Sequence, residues 1–253
     1  MYMSGNKNKY KKIVVLLSGG LDSSTLAYLV AREETKFTRK LIYTLTVDYG
    51  QKHRIELISA RKISQAISSF SHKVIEFDLT MWGGSALTDG KKHVPVNRKY
   101  KMIKNEIPIT YVPARNTIFL SFALSYAEAI GAGEIYIGVN SIDYSGYVDC
   151  RPTFIKKFQE LADVATVVSV RDRHKIKIKT PLINLNKAEI VKLGTKLGVD
   201  FSKTWSCYIG KNIACGRCDS CKLRLKGFAE AGVKDPLRYK KHPAFYKKFL
   251  ACQ

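Results

Sequence analysis

The stretch Ile13-Val14-Val15-Leu16-Leu17-Ser18-Gly19-Gly20-Leu21-Asp22-Ser23-Ser24-Thr25 decides the reading of this chain. Five consecutive apolar residues suit a strand buried on both faces, the Ser/Gly cluster suits a tight turn, and residues 24–33 carry helical spacing. A strand, a glycine loop and a helix N-terminus together make an anion cradle. Paired glycines let the backbone approach a phosphate, while unpaired N–H groups and the positive end of the helix dipole point at it. Hydroxyls of Ser18, Ser23, Ser24 and Thr25 add donors. The expected nucleotide-binding segment is therefore Leu17, Ser18, Gly19, Gly20, Leu21, Asp22, Ser23, Ser24 and Thr25. No G-x-x-x-x-G-K-[ST] loop occurs in the 253 residues, so the phosphate-binding loop of the Walker type is excluded. The alternative reading is an ordinary glycine-rich turn between strand and helix.

Outward from this loop the pattern alternates. Apolar runs at 13–17, 41–47, 74–77, 135–139 and 176–178 read as strands, and segments 24–33, 54–69, 117–130, 154–165 and 187–197 read as helices. Such alternation predicts an α/β fold with a doubly wound parallel sheet, whose ligand loops sit at the carboxyl ends of the strands. Loops 18–22, 48–53 and 140–151 fall there. The long connection 79–113, with Gly83-Gly84-Ser85-Ala86-Leu87-Thr88-Asp89-Gly90 inside it, is expected to be a lid, since Trp82, Leu87 and Tyr111 give it something to bury. The alternative is plain disorder. Residues 1–200 are read as the nucleotide-binding domain and 201–253 as a helical, metal-binding C-terminal region. The basic, aromatic tail 239–249 is expected to pack on a neighbouring subunit or lie on the surface.

Six cysteines are distributed unevenly. Cys150 and Cys252 stand apart, whereas Cys207, Cys215, Cys218 and Cys221 give the spacing C-x7-C-x2-C-x2-C. Four thiolates so spaced can close a tetrahedron around zinc, with no open position for catalysis, so the expected role is structural. The metal would clip the loop after Val199 onto a helix starting near Ser220. An iron–sulfur cluster is the alternative occupant. Clustered rather than scattered cysteines, no apolar run near the ~20 residues of a membrane span and no signal-peptide pattern at the N-terminus lead to an expectation of a cytoplasmic protein without a membrane partner. The net charge of +22, from 43 Lys and Arg against 21 Asp and Glu, suits either a nucleic-acid partner or lysine-rich solvation of the surface. The basic residues are dispersed along the chain, so no specific nucleic acid is expected. An anionic substrate such as ATP also favours positive potential.

Further strings carry a resemblance. S-G-G-x-D-S at 18–23 resembles the PP-loop of pyrophosphate-releasing ATPases. Asp48-Tyr49-Gly50-Gln51-Lys52-His53, Tyr111-Val112-Pro113-Ala114-Arg115-Asn116-Thr117 and the segment from Gly138 to Pro152, together with the cysteine cluster, resemble the 7-cyano-7-deazaguanine synthase family. The likeness runs from about Ile13 to Pro236. It implies an adenine nucleotide α-hydrolase-like fold, a homodimer, and conversion of 7-carboxy-7-deazaguanine and ammonia to a nitrile with ATP and Mg²⁺. Both acid and amide would be activated as adenylates, for the queuosine or archaeosine of tRNA. It further implies a catalytic set of Ser18, Asp22, Arg115, Asp143, Asp149 and Arg151. Asp22 would engage Mg²⁺ or order the loop, Asp48 and Tyr49 would close the second strand near the adenosine, and Arg115 would meet a phosphate or carboxylate, with a surface ion pair as its alternative. Segment 143–151 would hold the deazaguanine and its carboxylate. Cys150 has three readings: a packed small residue, a substrate contact or a nucleophile. His53 and Lys187 are either contacts behind the site or supports of the fold. Two rivals remain at this point. One is a PP-loop enzyme acting directly on tRNA, and the other is a zinc-ribbon binding module on a retained ATPase scaffold.

Overall fold

The computed structural model describes residues 10–34, 39–51, 54–141, 146–172 and 174–252. In chain order the elements are β1 (Tyr10–Leu16), α1 (Leu21–Arg32), β2 (Arg39–Asp48), α2 (Ile55–Ala66), β3 (Ser71–Glu76), α3 (Tyr100–Asn105), α4 (Arg115–Ile130) and β4 (Glu134–Tyr136). Then follow α5 (Pro152–Ala165), α6 (Val167–Val170), β5 (Lys177–Lys179), α7 (Lys187–Lys196), α8 (Asp219–Glu230) and α9 (Ala244–Ala251). All strand pairs are parallel, in the order β3-β2-β1-β4-β5, so the expected doubly wound sheet is present.

β1 lies at the centre and is buried on both faces, which is why its sequence is an unbroken apolar run. Successive side chains alternate: Ile13 and Val15 join one core with α1, α7, α8 and α9, while Val14 and Leu16 join the other with α4 and α5. The chain leaves β1 toward β2 on one side and later returns to place β4 on the other. The carboxyl ends of β1 and β4 therefore flank a topological switch point, the place where open α/β sheets bind ligands.

Element boundaries differ from expectation where tertiary contacts intervene. The run 135–139 yields a strand only to Tyr136. Beyond it, Gly138 lies so close to the first turn of α1 that a Cβ would come within 3.2 Å of the Ser23 backbone, and the chain departs the sheet there. β3 starts earlier than its apolar residues suggest, because the Thr44 hydroxyl pairs with the His72 ring at 2.9 Å. The connection 79–113 is built around packed residues: Leu79, Ser85, Ala86, Leu87 and Val112 are buried, although Trp82 is exposed against Phe77. The tail departs furthest from expectation. α9 packs on its own chain, with Tyr246 buried in the core and its hydroxyl accepting the Asp235 N–H at 2.8 Å. No helix among the described residues is long and apolar enough to cross a membrane.

α7 and α8 cross tightly because α8 presents Gly227. A Cβ there would sit 2.4 Å from Lys187 Cγ, so the glycine makes room for the Lys187 stem. Gly227→Ala should cost about 1–3 kcal/mol by overpacking, outweighing the gain in helix propensity. Denaturant unfolding checks this, and a variant as stable as the parent contradicts it.

Candidate active site

The glycine loop is shaped by two different demands. Gly19 has φ +77°, and a Cβ on it would meet the Glu56 carbonyl at 2.4 Å and the Ala60 nitrogen at 2.5 Å, so it exists to let α2 press against the loop. Gly20 caps α1 with no side chain bonded into the first turn, which leaves helix N–H groups open to an anion. The loop is pinned from within. Ser18 N–H donates to Ser23 Oγ at 3.2 Å, the two hydroxyls lie 3.0 Å apart, and Ser23 Oγ donates to the Gly20 carbonyl at 3.3 Å.

Above this loop opens a cavity of about 250 Å³ at the carboxyl ends of β1, β2 and β4. Leu17, Ser18, Gly20, Leu21, Asp22 and Ser23 form its floor, and Leu45, Thr46, Val47 and Tyr49 form the β2 side. Arg115, Asn116 and Phe119 of α4 face it, as do Gly138 and Val139 beyond β4, Tyr147 and Cys150. The wall opposite is supplied from the C-terminal region by Trp205, Ser206, Cys207, Tyr208, Ser220 and Arg224. Ser24, Thr25 and Gly19 stand outside the wall: the Ser24 and Thr25 hydroxyls turn into the interior, where they find no hydrogen-bond partner among the described residues.

Asp22, at the first turn of α1, is held by Lys187, whose Nζ reaches both carboxylate oxygens at 2.7 Å. Lys187 is buried and also lines the cavity. Arg115 enters from an unusual backbone. Ala114 before it has φ +51°, a left-handed conformation costing roughly 1–2 kcal/mol in an alanine, and its N–H donates to the Tyr111 hydroxyl at 3.1 Å. That kink aims the guanidinium between the Tyr49 and Phe119 rings, 5.9 and 5.8 Å away, with its Nε buried and unbonded among the described residues. The cation is stacked on two rings, hydrogen-bonds Tyr49 and feels the Glu56 carboxyl, and its unbonded Nε leaves a donor for an anionic ligand.

Asp149 is buried beside the cavity, not in its wall. Its carboxylate accepts the Asn116 N–H at 3.0 Å, serving the start of α4, while Asn116 Nδ2 donates to the Asp149 carbonyl and to Cys150 Sγ at 3.3 Å. Burial, with Asp149 nearby, pushes the Cys150 thiol up to about 12, so it stays protonated and the packed, cavity-lining reading suits it better than a nucleophile. Arg151 is exposed at the cap of α5, outside the cavity. Asp48 also lies outside it, bound to Arg54 at 2.8 Å and to the Gly50 N–H at 3.3 Å. Asp143 and His53 lie outside the described residues.

Two groups escaped the sequence reading. Glu56, one residue into α2, lines the cavity, and burial lifts its carboxyl to about 7 against the pull of Arg115 and Gln51, with Asp48 adding to the rise. Arg224 is fully buried, paired with Asp235 at 2.7 and 3.0 Å and donating to Thr204 Oγ1 at 2.8 Å and the Phe201 carbonyl at 3.2 Å. The available signal for Arg224 was its position on the apolar face that carries Cys221, Leu225 and Phe228.

The four cysteine sulfurs lie within 4.8 Å of one another. Cys215 and Cys221 are 3.8 Å apart, matching the edge of a tetrahedron with zinc–sulfur bonds of about 2.3 Å. Cys207 Sγ accepts N–H groups of Gly210 and Cys215 at 3.1 and 3.2 Å, and Cys215 Sγ accepts those of Arg217 and Cys218 at 3.3 Å. Such donors favour thiolates, so the donor set fits a tetrahedral metal such as zinc. The clip also touches the cradle. Trp205 N–H donates to the Gly19 carbonyl at 2.9 Å, and its indole N–H to the Cys207 carbonyl at 3.0 Å.

A family model described as queuosine biosynthesis protein QueC matches residues 12–232. Relatives named 7-cyano-7-deazaguanine synthase are similar over nearly their whole length. That from Nostoc sp. is 53% identical over 90% of this chain and 97% of its own, and that from Cyanothece sp. is 54% identical over 90% and 100%. The relative from Anaeromyxobacter dehalogenans is 52% identical over 94% of this chain and 100% of its own. Among solved structures, the U34-tRNA thiolase NcsA from Methanococcus maripaludis with its [4Fe-4S] cluster aligns at 18% identity and a TM-score of 0.49. It covers 97% of this chain and 72% of that one, a likeness too distant to carry a functional argument.

Cys218→Ala should lower bound metal and soluble yield together, because the remaining thiolates and the start of α8 lose their common centre. Metal analysis and thermal melting check this; a metal-free variant with native melting and turnover contradicts it.

Proposed function

The chain belongs to the family of queuosine biosynthesis protein QueC, and from that premise we propose that this enzyme of ligase type makes 7-cyano-7-deazaguanine from 7-carboxy-7-deazaguanine, ammonia and ATP by two adenylations. The observation that carries the reading is a helix N-terminus without a side-chain cap behind a glycine loop, at the switch point, sharing one cavity with an arginine whose Nε is buried and unbonded among the described residues. The loop of Ser18, Gly20 and Ser23 receives the β,γ-phosphates, with Lys187 and Asp22 beside them and Mg²⁺ joining as the nucleotide binds. Arg115 receives the substrate carboxylate.

A carboxylate is a poor electrophile. Its oxygen attacks the α-phosphorus, pyrophosphate leaves into the cradle, and ammonia displaces AMP to give an amide. Adenylation of the amide oxygen then permits elimination to the nitrile. The zinc site shapes the wall and takes no part in bond making. Segment 83–90, which sets Leu87 in the cavity wall, closes over the adenylates and shields their activated carbon from bulk water, with proton exchange left to the cavity mouth. The rival activity, direct modification of tRNA, has no specific observation in its favour, and the dispersed basic surface is assigned to solvation. An apolar strip of Leu161, Val164, Val167 and Val170, each 49–70% exposed, supports a homodimer through α5 and α6.

Turnover with all substrates should yield the nitrile, AMP and pyrophosphate, read by mass spectrometry. Ser18→Ala should lower turnover about 10²–10³-fold with little effect on folding, as loss of one donor aimed at transition-state charge does. Formation of ADP and inorganic phosphate would contradict the mechanism. Val167→Asp should yield monomers at unchanged melting temperature in light-scattering chromatography. Dimers that persist place the interface elsewhere.

A further inference from the structure

The proposed reaction has an unmet requirement. Nitrogen enters from neutral water chiefly as ammonium, which has no lone pair, and leaves as a nitrile, which has no N–H bond. Every N–H proton must be removed inside the cavity, and none of the roles assigned above removes one.

Two carboxylates line the cavity among the described residues, Asp22 and Glu56. Asp22 is gripped through both oxygens by Lys187. Cys150 and Tyr49 are both held in their protonated forms by burial. Glu56 is left, and its place is fixed from two sides. Its backbone carbonyl packs on Gly19 so closely that no Cβ fits between them, which anchors it at the rim of the phosphate loop. Its carboxyl feels the pull of Arg115 of α4, is hydrogen-bonded by Gln51, and is close enough to Asp48 at the end of β2 and to Tyr49 just beyond it for their charges to bear on one another. The residue thus shares one cavity with the loop proposed to receive pyrophosphate and with the arginine proposed to receive the substrate carboxylate.

We propose that Glu56 is the catalytic base that takes the nitrogen-bound protons in both halves of the reaction, an inference that rests on the adenylation reading above. In the first half the Glu56 carboxylate removes a proton from ammonium, and the freed lone pair forms the C–N bond as the carbonyl π pair moves to oxygen. A further proton goes from nitrogen to Glu56, the C–O bond to phosphate breaks, and AMP leaves with the electron pair. In the second half the amide oxygen attacks the α-phosphorus, pyrophosphate leaves, and an N–H proton passes to Glu56. Loss of the last N–H proton forms the C≡N bond as the C–O bond breaks and AMP departs. Between steps Glu56 returns each proton to water through the cavity mouth. A carboxyl near 7 is poised for both directions, whereas an ordinary glutamate would be a weaker base by over two units.

The test compares two partial reactions in the full-length, metal-loaded protein: carboxylate-dependent exchange of pyrophosphate into ATP, which needs no base, and amide formation from ammonium. In Glu56→Gln the ratio of amination to exchange should fall about 10²–10⁴-fold. The wild-type amination rate should rise with pH through a midpoint near 7 to a plateau above it, and Glu56→Gln should lose that limb. Hydroxylamine, which sheds no proton before attacking, should narrow the gap between variant and parent. If Glu56→Gln fails to fold, Glu56→Asp should aminate with its limb moved to another pH, and an unmoved limb overturns the proposal. Equal loss of exchange and amination would make Glu56 structural, and an unchanged ratio would overturn the base role alone. A wild-type protein without carboxylate-dependent exchange overturns the adenylation reading, and this inference with it.

Discussion

The ion pair between Asp22 and Lys187 is the contact on which the arrangement of the site depends. Asp22 belongs to the first turn of α1, Lys187 to the first turn of α7, and the Lys187 stem lies in the groove that Gly227 opens in α8. Three helices of one core are thus registered on a single bidentate contact beneath the cavity. Removing one partner of so enclosed a pair is far more costly than never having made it, since the other is left as an unpaired buried charge. The pair also sets the electrostatics of the floor. Asp22 alone would repel a polyphosphate, and Lys187 neutralises it while keeping a cation within the cavity wall.

The metal clip extends this logic to the opposite wall. Cys207 lines the cavity and is also one of the four clustered cysteines that could hold a metal, and Trp205 two residues earlier donates to the carbonyl of Gly19. Residues 204–218, which form no helix or strand, would carry a large entropic cost if they had to hold their shape by packing alone. Thiolates gathered on one metal would remove that freedom, and Arg224, bonded to Asp235, Thr204 and the Phe201 carbonyl, fixes the chain on either side. A closed metal site can therefore matter to catalysis without touching substrate.

The sheet was legible because burial on both faces writes itself as uninterrupted apolar runs, and the cysteine cluster because ligand spacing is local. Strand ends were less so: β4 stops at Tyr136 for the sake of a contact between Gly138 and α1 that no local pattern reveals. Within the site, Ser18, Gly20, Asp22, Ser23, Tyr49 and Arg115 all reach the cavity, whereas Ser24 and Thr25 turn inward on the helix and Arg151 faces solvent. Helical phase decides this, and it depends on where α1 begins. Glu56 and Arg224 were missed for a different reason. An acid early in a helix and an arginine within a basic segment look like solvated charges until the fold places other elements over them. The tail was misread in the same way, since Tyr246 has its partner, Asp235, on the same chain.

The central claim is that this cavity presents the α-phosphorus of ATP to a carboxylate oxygen, because the loop at Ser18 to Ser23 is occupied by the phosphates that leave. Turnover of 7-carboxy-7-deazaguanine labelled with ¹⁸O in its carboxylate tests this most directly. The account predicts label in the phosphate of AMP and none in pyrophosphate. Label in inorganic phosphate, with ADP as the nucleotide product, would mean attack at the γ-phosphorus and would contradict it.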